Sequence, residues 1–166
     1  MQKLIRNGAV EKDHWTVLKE ANGPDVLKAV LGRSFIAPLS FWRLYREELE
    51  EYQGEIAIWL DSDEDASDIG PDLHSLPMIA LNFPVFSDGR SYTNARELRE
   101  NLDYKGEVRA IGDVLRDQLF YMARCGFDAF ALRYDQDPEA CLAAFNDFKT
   151  SYQSTVTEPV PLFRRR

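Results

Sequence analysis

Pro77-Met78-Ile79-Ala80-Leu81-Asn82-Phe83 is a nearly continuous apolar run that reads as a β-strand. Such a run, without the alternation of a half-exposed strand, is expected where both faces of a sheet are covered, as in parallel sheets. Working outward, Glu55-Ile56-Ala57-Ile58-Trp59-Leu60 reads as a strand before it. After it come a helix over Ser91 to Leu102, with Ala95, Leu98 and Leu102 inward, and a shorter, more polar strand over Glu107 to Ile111. A helix over Asp113 to Arg124 follows, with Leu115, Leu119 and Met122 on one side and Gly126 as its stop. Asp128 to Arg133 is the next strand. Asp137-Pro138 supplies an N-cap and a first-turn proline for a helix to about Lys149, striped by Cys141, Phe145 and Phe148. Strands and helices alternating at this spacing imply right-handed βαβ units and a parallel sheet.

The N-terminal third has another texture. Asn7-Gly8 between Leu4-Ile5-Arg6 and Ala9-Val10 is a tight hairpin signal. Trp15 to Leu18 is a short strand, Ala21-Asn22-Gly23-Pro24 breaks it, and Asp25 to Leu31 has room for a helical turn or two before Gly32. Pro38-Leu39 introduces a helix over Ser40 to Tyr52. Leu39, Trp42, Tyr45 and Leu49 form its apolar stripe, and glutamates its outer face. The predicted fold class is α/β: a single domain with an N-terminal β-hairpin and a parallel sheet of about four βα units. Periodicity leaves an open sheet and a half-barrel both open. Within residues 1–166, residues 1–35 are the β-rich segment, 36–150 the βα core and 151–166 a tail, expected to be loosely held.

The chain has 166 residues, the size of one domain, and 45% hydrophobic residues exclude wholesale disorder. No apolar run approaches the roughly 20 residues needed to cross a bilayer. With no apolar leader at the start and two cysteines too few for a disulfide scaffold, the expectation is a cytoplasmic protein away from membranes. The net charge of −8 argues against nucleic-acid partners. The acidity is uneven: residues 1–82 hold 15 acids against 8 bases, whereas residues 83–133 are balanced.

In parallel α/β folds, sites form at the carboxyl ends of strands. Three stretches qualify: Phe83 to Arg90, Gly112-Asp113 leading to Arg116-Asp117-Gln118, and Arg133-Tyr134-Asp135. In the first, Arg90 offers a guanidinium fork to a carboxylate, sulfate or phosphate, Asp88 can orient it or accept a proton, and Phe86 supplies an apolar contact. The plainer reading of the same stretch is a turn capped by Asp88 with Arg90 paired locally. Glu107 and Arg109 are two apart on a strand and so share a face. They either pair together or line a lumen or sheet edge, with Arg109 in the functional version directed at Asp88 and Asp117. Asp113 stands where a helix N-cap belongs. The candidate catalytic groups are thus Asp88, Asp113 and Asp117, and the candidate ligand-binding groups Arg90, Arg109 and Phe86. Arg96 and Arg99 read as exterior partners of Glu100 and Asp103, four residues on. Cys125 and Cys141 read as core residues. No metal set is predicted: the acidic loop Asp61 to Asp68 lacks the Gly and Glu an EF-hand needs, and His14 and His74 stand alone. Neither G-x-G-x-x-G nor G-x-x-x-x-G-K occurs, which leaves the cofactor open.

Phe83-Pro84-x-Phe86-x-Asp88-Gly89-Arg90, Ala95-Arg96-x-Leu98-Arg99, Gly106-Glu107-x-Arg109-Ala110-x-Gly112-Asp113, Arg116-Asp117-Gln118 and Arg124 to Phe130 together resemble the domain of unknown function 934 family. Trp15, Pro38-Leu39 and Trp42 extend the resemblance loosely over the rest, while Ser91 and Thr93 depart from the pattern. The family is bacterial, and its members carry the label of oxidoreductases of sulfite reduction, which implies no catalytic residue by itself. The resemblance implies an accessory or interaction protein of assimilatory sulfite reduction, with sulfite reductase subunits as partners. The alternative is a small enzyme or sensor that binds an anionic sulfur metabolite at the strand ends.

Overall fold

The computed structural model describes residues 2–146. Asn7 and Gly8 both adopt positive φ, 50° and 80°, as a two-residue hairpin turn demands, and join β1 (Lys3–Arg6) to β2 (Ala9–Lys12). β3 (Thr16–Val17), β4 (Phe35–Pro38), β5 (Ile56–Leu60), β6 (Met78–Phe83), β7 (Glu107–Gly112) and β8 (Ala129–Phe130) then pair in chain order, each parallel to the last. The hairpin closes the series: β1 lies antiparallel on β8, with Ile5 opposite Phe130. The complete order is β2-β1-β8-β7-β6-β5-β4-β3, so the two edges of the sheet are strands that follow one another in sequence.

That order forces curvature. Seven inter-strand steps of about 4.8 Å would hold the edges of a flat sheet some 34 Å apart. Only Asp13-His14-Trp15 joins the end of β2 to the start of β3, and four backbone steps span at most about 14 Å. The eight-stranded sheet is therefore an open but strongly curled half-barrel, which decides between the two architectures the periodicity allows.

Sequential parallel strands with right-handed crossovers put their helices on one face. Here that face is convex. Phe35, Ile58, Ile79, Leu81, Val108 and Phe130 point outward into the main core, where they meet α2 (Leu39–Leu44), α3 (Arg46–Glu50), α4 (Arg90–Arg96) and α5 (Leu119–Cys125). The alternate residues Ile36, Ala57, Met78, Ala80 and Ile111 form a second cluster on the concave face, edged by Trp15, Val17, Trp59 and Ala131. Among the described residues no helical side chain joins this cluster, so curling and the large side chains of Trp15, Trp59 and Arg109 fill the face. The continuous apolar run of β6 is explained by these two cores.

Several elements depart from the sequence reading. β4 is a strand that Pro38 ends by opening α2, and with β3 it extends the parallel series to within residues 1–35. The helix over 40–52 is two pieces broken at Tyr45 (φ −114°, ψ 38°). The helix after β6 passes into a π-helical turn at Glu97–Asn101. Asp113 caps no helix: Gly112, at φ 91°, turns the chain, and helical structure waits until a 3-10 turn at Arg116–Gln118 leads into α5. β8 is two residues rather than six. α6 (Pro138–Cys141) has the expected cap, with the Asp137 carboxylate accepting from Glu139 N; the end of that helix, Phe148, and the tail lie outside the described residues. Three short helical stretches complete the description: α1 (Val26–Ala29), 3-10 turns at Ala66–Ser75, and a 3-10 stretch at Leu142–Asn146 that continues from α6. Among the described residues, no helix is long and apolar enough to cross a membrane.

Candidate functional site

The carboxyl ends of the curled strands surround a cavity of about 790 Å³. Its apolar wall comes from concave-face positions: Trp59 on β5, Ile111 on β7, and Val17 and Ala131 beside them. The three-residue link contributes Asp13 and Trp15. The Trp59 indole is fixed, because its Nε1–H donates to the Leu18 carbonyl at 2.9 Å. Asn82, next along the concave face of β6, donates to Asp61 at 3.0 Å.

Arg109 lies at the floor, the largest fully buried side chain among the described residues. A buried guanidinium requires partners, and this one finds two carboxylates. Nε donates to Glu107 at 2.8 Å, two residues away on the same face, and Nη1 donates to Asp13 at 2.9 Å. Asp13 also accepts from the Trp15 amide, so one carboxylate ties the link to the middle of the sheet. Glu107 in turn accepts from Arg6, which is paired with Glu11. The remaining nitrogen, Nη2, is buried without a partner.

The mouth is built by the loops after β7 and β8. A Cβ at position 112 would press into the Phe83 carbonyl and Asn82 Oδ1, so only glycine fits there, and it delivers Asp113 to the rim. The Asp113 amide donates to Phe83 O at 2.8 Å, anchoring the turn. Arg133 faces Asp113 at 3.9 Å and grips Asp135 with two bonds of 2.7 Å. Those bonds hold the Asp135 carboxyl down to about 2 and raise the Arg133 guanidinium above its ordinary value. Lys19 and the almost fully exposed Tyr134 complete the rim.

The structure brings together only part of the predicted set. Arg109 and Asp113 line the cavity, whereas Asp88, Arg90, Phe86 and Asp117 are not among its lining residues. Arg109 does not reach toward Asp88 and Asp117; it turns to Asp13, because the concave face directs it away from those loops. Asp88 and Arg90 bond one another at 2.7 and 3.1 Å, with Arg90 Nη2 also on Ser62 Oγ at 2.9 Å. Hydrogen bonds from Arg90 hold the Asp88 carboxyl well below the usual carboxylate range. Phe86 is 57% exposed, and its carbonyl accepts from Gln118. Asp117 is a solvated carboxylate 3.8 Å from Arg116. The acidic loop is engaged locally: Asp61 accepts from Ser62 N, Glu64 from Asp61 N, and Asp65 from Ser67. Among the described residues, no group of three His, Cys, Asp or Glu is placed to hold a metal ion.

Sequence reasoning missed Asp13, Trp15 and Trp59 as site residues. The tryptophans carried a usable signal, since each stands in or beside a strand at a position alternating with core residues. Asp13 carried none, because its partner is 96 positions away.

No curated protein matches the chain. Residues 57–163, which include the strands that bear Trp59, Asn82 and Arg109 and the loops that bear Asp113 and Arg133, match the model of a family described as a bacterial protein of unknown function (DUF934), and the chain belongs to that family.

Proposed function

We propose that the protein binds a small anionic metabolite in the cavity at the carboxyl ends of its strands, acting as a small enzyme or sensor. One observation carries this reading: Lys19, which has no ion pair among the described residues, and Arg133 both line the cavity at the strand ends. In a protein with a net charge of −8, those cations sit where this architecture places its ligands. Asp113, at the rim and turned inward by Gly112, is the group available to accept or return a proton. The family resemblance suggests a sulfur compound. Calorimetric titration with sulfite, sulfate and adenylyl sulfate tests this, together with thermal shift. Saturable binding by at least one of them, weakened in Arg133→Ala, is the expected result. If none binds, or if Arg133→Ala binds equally well, the reading fails.

A second reading, an accessory protein of assimilatory sulfite reduction, draws support from Val85 and Phe86. Both are more than half exposed on a loop tied down by Gln118, which resembles a docking feature. Co-purification with sulfite reductase subunits, lost in a Val85→Ser/Phe86→Ser variant, is its expected outcome; normal sulfite reduction in a deletion strain would count against it.

A further inference from the structure

The floor and the mouth of the cavity differ in charge, and that difference orients whatever enters. At the floor, the ion pairs form a connected chain: Asp13, Arg109, Glu107, Arg6, Glu11. Three carboxylates face two guanidiniums in it. A further anion pressed onto Arg109 would meet the Glu107 and Asp13 carboxylates already bonded to it, in a poorly screened interior. Yet Arg109 Nη2 is a buried donor with no acceptor, and a native protein seldom leaves such a group unsatisfied. What suits both facts is a neutral acceptor, a carbonyl oxygen or an unprotonated ring nitrogen.

The walls above that donor are indoles and aliphatic side chains. Trp59 cannot rotate without giving up its bond to the Leu18 carbonyl, and Trp15 is held through its own amide by Asp13. Two indole faces on one cavity, that of Trp59 anchored through its ring nitrogen, favour a planar ring that gains stacking contact with them. At the mouth, Lys19 has no ion pair among the described residues, and Arg133, paired with Asp135, also lines the cavity.

We infer that the ligand is a planar heteroaromatic compound with a neutral acceptor directed at Arg109 and an anionic substituent left at the mouth near Lys19 and Arg133. This deepens the binding reading and rests on it. Trp15 and Trp59 line the cavity, so a ring stacked on them alters their fluorescence, which places an optical reporter at the site. The chain has three tryptophans, and Trp42 lies on the convex side under Arg46, with the guanidinium 4.2 Å from its ring. A Trp42→Phe protein therefore reports on Trp15 and Trp59 alone.

The test titrates that protein with three probes that join a ring to an anion: adenosine 5′-monophosphate, nicotinate and orotate. Adenosine is the ring-only control, and inorganic phosphate and sulfate are the anion-only controls. At least one ring-plus-anion probe should quench the fluorescence at a concentration tenfold or more below either inorganic anion. Lys19→Ala should weaken that probe severalfold and leave adenosine unchanged, and Trp59→Leu should abolish the preference for ring-bearing probes. The inference is overturned if none of the three quenches, or if phosphate or sulfate binds as tightly as all of them. In the second case the anion-binding reading stands without it; binding by neither rings nor oxyanions removes both.

Discussion

At the residue scale, two positions show how local geometry sets the rim. Gly112 combines φ 91° with close approach to the Phe83 carbonyl and Asn82 Oδ1. Ala there must bear both backbone strain and overpacking, for a cost of about 2–4 kcal/mol. Urea unfolding of Gly112→Ala should show that loss as a lower midpoint at unchanged slope. Asp135 gives a pH signature. Its carboxyl, held down to about 2 by Arg133, should titrate by carbon NMR near pH 2 and return toward about 3.9 in Arg133→Gln. Because the folded-state value is depressed, the contribution to stability is complete above about pH 4 and is lost as the pH falls through 2. Arg109 and Asp113 were readable as candidate site residues because a charge on a parallel strand, or just past its end, is costly to keep without a task there. Asp88 and Arg90 looked equally apt in sequence, but a two-residue spacing on a loop lets them satisfy each other.

At the element scale, spacing along a helix misleads once the helix ends. Arg99 and Asp103 are four apart, as if to pair, but the helical turns stop at Asn101 and Asp103 sits at φ 53°. Asp103 pairs with Lys105 instead. Arg99 turns inward and donates to the carbonyls of Gly126, Tyr104 and Gly106 at 2.8–3.0 Å, with Asp128 at 3.3 Å. It thereby clamps the amino ends of β7 and β8 from the helix side. Arg96 and Glu100, still on the helical surface, do meet, at 3.4 Å. Arg99→Leu should cost about 3 kcal/mol, since three carbonyls lose a charged donor, whereas Arg96→Leu should cost under about 1 kcal/mol; chemical denaturation of the two variants checks the contrast. Asp113 misleads in the same way: its position before an apolar stripe resembles an N-cap, but the positive φ of Gly112 moves the helix start downstream.

At the scale of the whole molecule, the four strands after residue 54 were legible because a continuous short apolar run is what a strand covered on both faces requires. The curl was not, because it depends on β1 pairing with β8, a contact no local pattern encodes. Asp13 is the pin of that arrangement. Asp13→Ala leaves Arg109 buried with one carboxylate fewer and should destabilise by about 3–5 kcal/mol. Replacing both partners, Asp13→Leu with Arg109→Met, should recover much of that loss, because an apolar pair asks for no compensation; thermal and urea unfolding of the single and double variants decide it. The split in charge takes on meaning at this scale as well. The acidic first half supplies much of the outer coat, while the balanced second half supplies most of the cavity's charged residues.

The three-residue link also sets an order of events during synthesis. Arg6 must wait for Glu107, 101 positions later, before its inner ion pair can form, and β1 waits longer still for β8. On the ribosome the hairpin therefore emerges early, has no sheet to join, and docks late, after β8 has emerged. A contact of such long range is slow to form and leaves strand edges open meanwhile. The cavity, whose wall includes Ala131 to Tyr134 just after β8, is completed only with that last docking step, so a nascent or truncated chain lacking β8 carries most of the strands and an unfinished site.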